Sequence, residues 1–187
     1  MIDDIIKKSI EVKQSILLDN SLHKVIYNSI DVIVNAFENG NKVMFCGNGG
    51  SASDAQHLAA ELSGRFYKDR KALPSDALHC NTSYLTAVAN DYSYDVIYSR
   101  LVDGTMNSGD VLIGLSTSGN SKNIINAFKT AKEKGIITIA LTGETGGDMG
   151  PLVDYLINIP NTDTPRIQEA HIMIGHIICE LVESKLF

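Results

Sequence analysis

Apolar residues recur at helical spacing in two stretches at the start of the chain, and each stretch predicts an amphipathic helix. The first covers residues 2–18, and the second runs from Leu22 to Phe37. Polar residues 19–21 break the first helix and offer a cap for the second, which Gly40 ends. Neither helix carries candidate catalytic residues. Because each has an apolar face, we expect both helices to pack on the sheet of this chain or on another copy of the chain.

From residue 42 onward, short apolar runs and Gly/Ser-rich turns alternate with helical patterns. The runs predict buried strands at residues 42–46, 111–115, 136–141 and 155–159, with a fifth at either 77–79 or 84–85. The helical patterns are clearest at residues 52–64, 121–134 and 166–185. This alternation predicts an α/β fold in which helices cover both faces of a parallel sheet. We expect one domain over residues 1–187, with a helical extension at residues 1–40.

Composition and charge argue against several classes of protein. The formal net charge is -6 and no basic run is present, whereas a nucleic-acid surface needs clustered Lys and Arg. No apolar run is long enough to span a membrane, and the chain starts with acidic residues where a secretion signal would be basic. The three cysteines are far apart and form no CxxC pair. We therefore expect reduced thiols in a cytoplasmic protein that binds neither nucleic acid nor membrane.

Two predicted strand-to-helix junctions, residues 47–54 and 116–121, are rich in glycine and small polar residues. In open parallel sheets, ligands bind beyond the carboxyl ends of the strands, where such junctions lie. Glycines let a ligand approach the backbone, and a helix N-terminus favours an anion. The second junction adds the hydroxyls of Ser116, Thr117, Ser118 and Ser121, which suit a phosphate. Each junction alone is equally compatible with a capped turn, and neither matches a P-loop or a GxGxxG dinucleotide motif.

His57 and Glu61 follow the first junction at a spacing of four residues, which places both side chains on one face of a helix. Such a pair can bind a metal or act in acid–base catalysis, although taken alone it is more often a solvated helix face. Its position beside the Gly-rich junction favours a functional role. Farther along, Gln168, His171 and His176 lie in an otherwise apolar helix. Core histidines satisfied by hydrogen bonds would explain the two imidazoles, and spacing alone does not choose between His171 and His176.

Several segments, taken together and in order, resemble the phosphoheptose isomerases of the sugar isomerase (SIS) domain family. They are residues 47–51, 54–65, 90–91, 116–121 and 166–169, followed by His176. The resemblance covers essentially the whole chain. It implies a three-layer αβα sandwich with a five-stranded, doubly wound parallel sheet, and a homotetramer with active sites at subunit interfaces.

The resemblance also implies a role for individual residues. It implies that the substrate phosphate is bound by Ser116, Thr117, Ser118 and Ser121. It implies that the rest of the sugar phosphate contacts Asn48, Gly49, Gly50, Ser51, Glu61, Asn90, Asp91 and Gln168. It implies one zinc ion per subunit, held by His57, Glu61, Gln168 and His176. Glu61 and His176 also match the acid–base residues of the family. Pro165 stands where some members carry an Asp, so a role for an Asp in that loop is not transferred.

The implied reaction converts D-sedoheptulose 7-phosphate to D-glycero-D-manno-heptose 7-phosphate through an enediolate, as the first step towards the heptose of lipopolysaccharide or capsule. Such a reaction needs a base near both carbons and an acid for the oxygens, and Glu61 and His176 are the candidates. Two alternatives keep the fold without the reaction. One is a non-catalytic partner of the replication initiator, and the other is a sensor that binds a sugar phosphate without turnover.

Overall fold

A computed structural model describes all 187 residues. Five parallel strands form one sheet in the order β2-β1-β3-β4-β5. The strands are β1 (Val43–Gly47), β2 (Ser75–Ala77), β3 (Val111–Ser116), β4 (Ile137–Thr142) and β5 (Tyr155–Asn158). The helices are α1 (Ile2–Leu18), α2 (Asn20–Glu38), α3 (Gly50–Ser63), α4 (Thr82–Asp91), α5 (Ile97–Thr105), α6 (Lys122–Glu133) and α7 (Thr164–Leu186). Two short 3₁₀ turns cover Tyr94–Val96 and Gly147–Leu152.

Both faces of the sheet are buried, and side chains alternate between two hydrophobic clusters. Along β3, Val111, Ile113 and Leu115 belong to the cluster formed with α1, α2, α3 and α7. Leu112 faces the opposite side and packs with residues of α4, α5 and α6. Because successive strand residues point to opposite faces, a continuous apolar run is what a sheet covered on both sides requires. The predicted three-layer αβα fold is confirmed.

The edge strand β2 is the element that sequence patterns located least well. It covers only Ser75–Ala77, and the alternative at residues 84–85 is wrong because those residues lie in α4. Asn81 caps that helix by accepting a hydrogen bond from the Tyr84 amide at 3.0 Å. A side-chain cap at this position satisfies an otherwise free N–H and stabilises the helical start. The helices α4 and α5 were not predicted.

The strand order reverses between β1 and β3, which are neighbours although β2 separates them in sequence. Gly47, the last residue of β1, pairs with Leu115 near the end of β3. The loops that follow these two strands therefore lie side by side at the switch point of the sheet, where ligands of such folds bind. Gly47 is required there, because a Cβ atom would lie 2.3 Å from the Ser51 carbonyl oxygen.

The N-terminal helix α1 buries only part of its apolar surface within the chain. Val12 and Ile16 are buried against the core. The large apolar side chains of α1 that stay exposed are Ile2, Ile5, Ile6, Ile10, Leu17 and Leu18. Several exposed large apolar side chains on one helix are typical of an interaction surface. No helix of the protein combines the length and the apolar composition that crossing a membrane requires.

Candidate active site

The loop after β1 brings backbone and side-chain polar groups to the carboxyl end of the sheet. Gly49 has a φ of 56°, a conformation that glycine adopts without strain, and α3 starts at the next residue. Gly50 lies against the side chain of Gln168 from α7, and a Cβ atom here would lie 2.6 Å from Gln168 Nε2. The glycine therefore lets α7 approach the loop and places the Gln168 amide over it.

The loop after β3 gathers three hydroxyl groups. Ser116 Oγ lies 2.9 Å from Ser121 Oγ and 3.5 Å from Ser118 Oγ. Ser121 precedes the first residue of α6, yet its side chain makes no capping bond to the helix. The hydroxyl cluster therefore sits at a helix N-terminus, where backbone N–H groups and the helix dipole favour an anion. Thr117 anchors the loop through its carbonyl, which accepts a hydrogen bond from Gly143 at 3.0 Å.

An imidazole–carboxylate cluster forms where α3 meets α7. His57 Nε2 lies 3.0 Å from His176 Nε2 and 3.2 Å from Glu61 Oε1. One ligand atom from each of the three residues lies within 4.8 Å of the other two. The i, i+4 spacing on α3 brings His57 and Glu61 together, and the packing of α7 on α3 adds His176.

The three side chains fit a zinc ion by their chemistry and spacing. Two imidazole nitrogens and a carboxylate oxygen are donors that zinc commonly takes. Zinc–ligand bonds of about 2.0–2.1 Å in a tetrahedron separate the ligand atoms by about 3.3 Å. The observed separations of 3.0 and 3.2 Å are close to that spacing. Gln168, the fourth ligand implied by the resemblance, lies on the same helix as His176, and the contact the structure shows for its amide is with Gly50.

Two residues beside this cluster were given no role from the sequence. Phe66 stacks on the His176 ring, with centroids 5.8 Å apart and planes inclined by 23°. Asp54 precedes His57 by one helical turn, and burial raises the pKa of its carboxyl although His57 and His176 oppose the shift. The i, i+3 spacing of Asp54 and His57 was a signal available in the sequence, whereas nothing in the sequence pointed to Phe66.

The segment that carries Phe66 is held by a buried ion pair. The Glu183 carboxylate accepts hydrogen bonds from the backbone N–H groups of Phe66, Tyr67 and Lys68 at 2.8 to 3.2 Å. It also accepts one from Arg70 Nε at 3.0 Å, and both side chains are only 2% exposed. The Arg70 guanidinium donates in addition to the carbonyl of Glu61 at 2.9 Å. This pair therefore ties the loop after α3 to the end of α7, next to the imidazole–carboxylate cluster.

The two histidines of α7 lie in different environments. His171 is fully buried, and its Nε2 donates to the Thr142 carbonyl at 3.1 Å. Burial lowers the pKa of His171 to about 4, so the ring is neutral near pH 7. His176 is half-buried and contacts His57. The structure therefore separates the histidines that sequence spacing left undecided.

The remaining sugar-binding candidates lie in the first loop and at the end of α4. Ser51 is buried, and its amide donates to the Asn48 carbonyl at 3.1 Å. Asn90 and Asp91 are exposed at the end of α4, where Asn90 Nδ2 donates to Asp91 Oδ1 at 3.0 Å. The structure shows no contact of these two residues with the imidazole–carboxylate cluster. The chain continues from them to Tyr94, whose hydroxyl reaches Asn48 at 2.9 Å.

Comparisons with known proteins agree with this architecture. A family model described as a SIS domain matches residues 10–143. A phosphoheptose isomerase from Aneurinibacillus thermoaerophilus is 53% identical over 182 residues, which are 97% of this chain and 92% of that protein. The solved phosphoheptose isomerase of Neisseria gonorrhoeae has a TM-score of 0.92 at 40% identity, covering 98% of this chain and 97% of that one. The solved phosphoheptose isomerase of Francisella tularensis has a TM-score of 0.93 at 33% identity, covering 98% of this chain and 96% of that one.

These relatives match along nearly their whole length, and the fold they share with this chain includes both loops and α7. The sequence-based resemblance and the isomerase class are thereby confirmed. The chain belongs to the SIS domain family and, within it, to the phosphoheptose isomerases.

Proposed function

We propose that the protein interconverts D-sedoheptulose 7-phosphate and D-glycero-D-manno-heptose 7-phosphate. The observation that carries this proposal is the meeting of His57, Glu61 and His176 in one cluster, since an aldose–ketose isomerisation needs a base and an acid at one site. The names of the relatives support the choice of a heptose phosphate. The product would be a precursor of lipopolysaccharide or capsule heptose, made in the cytoplasm.

The hydroxyl cluster of the second loop would anchor the substrate phosphate. Ser116, Ser118 and Ser121 already hydrogen-bond among themselves, so a phosphate would replace these contacts with stronger, charge-assisted ones. Thr117 supplies the fourth hydroxyl of the predicted set. The phosphate is remote from the reacting carbons, so its binding energy serves to position them. The first loop, with Asn48, Gly49, Gly50 and Ser51, would contact the sugar chain between the two ends.

Glu61 and His176 would carry the protons. The Glu61 carboxylate removes a proton from C1 of the ketose, and the electron pair moves through C2 to the carbonyl oxygen O2, which His176 Nε2 protonates. His176 Nε2, now without its proton, takes the O1 proton, and the C1 carbonyl forms as Glu61 returns its proton to C2. The 22% exposure of the Glu61 side chain leaves it reachable by substrate. Glu61 Oε1 faces His57, so Oε2 is the oxygen free for the carbon-bound proton.

A zinc ion would be held by His57, Glu61 and His176, with Gln168 as the fourth predicted ligand. Bound there, zinc would supply Lewis-acid polarisation of a substrate oxygen. Ligation and proton transfer compete for the same lone pairs, so His176 acts as the acid through Nε2 only when that nitrogen is not a ligand. Metal analysis of purified protein, with activity measured before and after chelation, separates the two roles.

The assembly would be a homotetramer with active sites at subunit interfaces. The exposed large apolar side chains of α1 support this proposal, because they are typical of a surface that another subunit covers. Light scattering at micromolar concentration should give a mass near four times 20.3 kDa. A monodisperse monomer would contradict the assembly.

The decisive experiment follows sedoheptulose 7-phosphate by NMR in the presence of the purified protein. The appearance of aldose signals, and their absence with Glu61→Gln, would support the reaction. Tight binding of the heptulose phosphate without turnover would instead indicate a sugar-phosphate sensor. Absence of both binding and turnover would leave a non-catalytic interaction protein, such as a partner of the replication initiator.

A further inference from the structure

We infer that Asn123 and Tyr94 are positioning residues that hold the Asn48 amide with an N–H towards the substrate, so that Asn48 acts as a hydrogen-bond donor and not as an acceptor. The identity of the substrate in this inference rests on the proposed function. Asn123 belongs to the first turn of α6 and Tyr94 to the turn before α5, and neither was a candidate from the sequence.

The orientation of the Asn123 amide follows from its surroundings. Asn123 is only 2% exposed, and the backbone N–H of Ile124 lies 3.0 Å from the Asn123 side-chain oxygen. A backbone N–H can only donate, so the atom facing it has to be the amide oxygen rather than the nitrogen. The Asn123 Nδ2 group is thereby directed towards the first loop.

The Asn123 orientation in turn determines that of Asn48. Asn123 Nδ2 donates to Asn48 Oδ1 at 2.9 Å, and Asn48 Nδ2 donates to Asn123 Oδ1 at 2.9 Å. The Tyr94 hydroxyl lies 2.9 Å from Asn48 Oδ1 and must donate to it, since an amide oxygen has no proton. Both acceptor positions of Asn48 Oδ1 are occupied. One N–H of Asn48 Nδ2 remains free.

The free N–H lies where the substrate chain is proposed to pass. Asn48 is half-buried at the start of the first loop, and Asn123 follows Ser121 of the hydroxyl cluster by two residues. The amide pair therefore joins the two loops across the switch point of the sheet. A donor without acceptor capacity matches a carbonyl or enediolate oxygen, which has no proton to give. The Asn48 N–H should stabilise the enediolate more than the carbonyl, because hydrogen bonds to charged oxygens are stronger than those to neutral ones.

A double-mutant cycle tests the positioning role of Tyr94. Tyr94→Phe should lower kcat/KM roughly three- to tenfold, the scale of one hydrogen bond. In an Asn48→Ala background, Tyr94→Phe should have no further effect, because its hydroxyl acts only through Asn48. The inhibition constant for inorganic phosphate should stay unchanged, whereas a general disturbance of the loops would raise it. Tyr92→Phe is the matched control, since the Tyr92 ring contacts Arg100 at 4.2 Å and its hydroxyl has no hydrogen bond.

Two further variants test Asn123 and the donor role. Asn123→Ala should lower kcat/KM more than Tyr94→Phe does. Most of this decrease should vanish in the Asn48→Ala background. Asn48→Asp keeps an acceptor for Tyr94 and for Asn123 but removes both N–H groups of Asn48, the free one and the one that donates to Asn123 Oδ1. We therefore expect kcat/KM to fall at least as far as in Asn48→Ala. Additive losses in the Tyr94 cycle would overturn the positioning role, and activity of Asn48→Asp within threefold of wild type would overturn the donor role.

The same cycle is informative if the wild-type protein does not isomerise the heptulose phosphate. The proposed function would then fail, and the Tyr94 and Asn48 variants would be compared by their urea midpoints without substrate. Non-additive shifts would show that the Tyr94–Asn48 contact exists in the resting protein. Additive shifts would overturn the positioning role itself.

Discussion

Replacing Glu183 by glutamine should destabilise the protein far more than a typical charge-neutralising substitution. The carboxylate accepts four hydrogen bonds, three from the backbone of residues 66–68 and one from Arg70, and it is almost completely buried. Glutamine turns an NH₂ group towards donors and leaves the Arg70 guanidinium without a counter-charge. Removing one partner of a buried ion pair costs about 3–5 kcal/mol. Arg70 keeps its hydrogen bonds to backbone carbonyls, so we expect about 3 kcal/mol.

The loss of unfolding free energy in Glu183→Gln should be larger at neutral pH than at acidic pH. Burial alone would raise the pKa of the Glu183 carboxyl, but the backbone N–H groups and Arg70 outweigh it and hold the pKa below its ordinary value of 4.5. A group whose pKa is lower in the folded state contributes its full stability above the unfolded value and loses it as the pH falls through the folded value. The difference between wild type and Glu183→Gln should therefore be largest at pH 7 and shrink below pH 4.5.

Urea unfolding at equal protomer concentration, at pH 7 and pH 4, measures both effects. Glu180→Gln is the matched control, because Glu180 is exposed on the same helix and should change the free energy of unfolding by less than about 0.5 kcal/mol. A Glu183→Gln protein within about 1 kcal/mol of wild type at pH 7 would refute the energetic argument. A cost that is equal at both pH values would refute the assignment of the ionised carboxylate.

Three further predictions concern the site and its helix. Glu61→Gln and His176→Gln should each lower kcat roughly a hundredfold or more, while His171→Gln should lower it much less; the reverse order of the histidines would mean that the acid is misassigned. Ser118→Ala combined with Ser121→Ala should weaken binding of a heptose 7-phosphate, measured by calorimetry, and leave the circular dichroism spectrum unchanged. Burial lowers the pKa of His171 from 6.5 to about 4, so this residue should contribute a loss of roughly 3 kcal/mol in the free energy of unfolding as the pH falls between those values, a loss that His171→Gln should remove in urea titrations.

Much of the fold was predictable because the central strands are buried on both faces. The strand predicted at residues 42–46 lies within one residue of β1, and the one at 111–115 falls inside β3. The edge strand β2 has three residues, too few for a periodic pattern to appear. Helix α4 buries only Val88, so its sequence lacks the apolar stripe that revealed α1 and α2.

The candidate site was predictable where neighbours in space are also neighbours in sequence. The spacing of His57 and Glu61 placed them on one helix face without any tertiary information. His176 joins them only through the packing of α7 on α3, and two histidines five residues apart on one helix cannot be told apart by spacing. Phe66, Tyr94 and Asn123 contact the site through loops or through distant helices. No local pattern encodes such contacts.

The His57–Glu61–His176 cluster also has a consequence for how the protein is handled. Two imidazoles and a carboxylate bind several first-row metals, and affinity for such donors generally rises from manganese to copper and then falls at zinc. The His57 side chain is half exposed, so the cluster is open to exchange with dissolved ions. A metal site built from these three residues would therefore leave the choice of metal largely to its supply, and protein passed over a nickel resin would then be expected to carry nickel at this position.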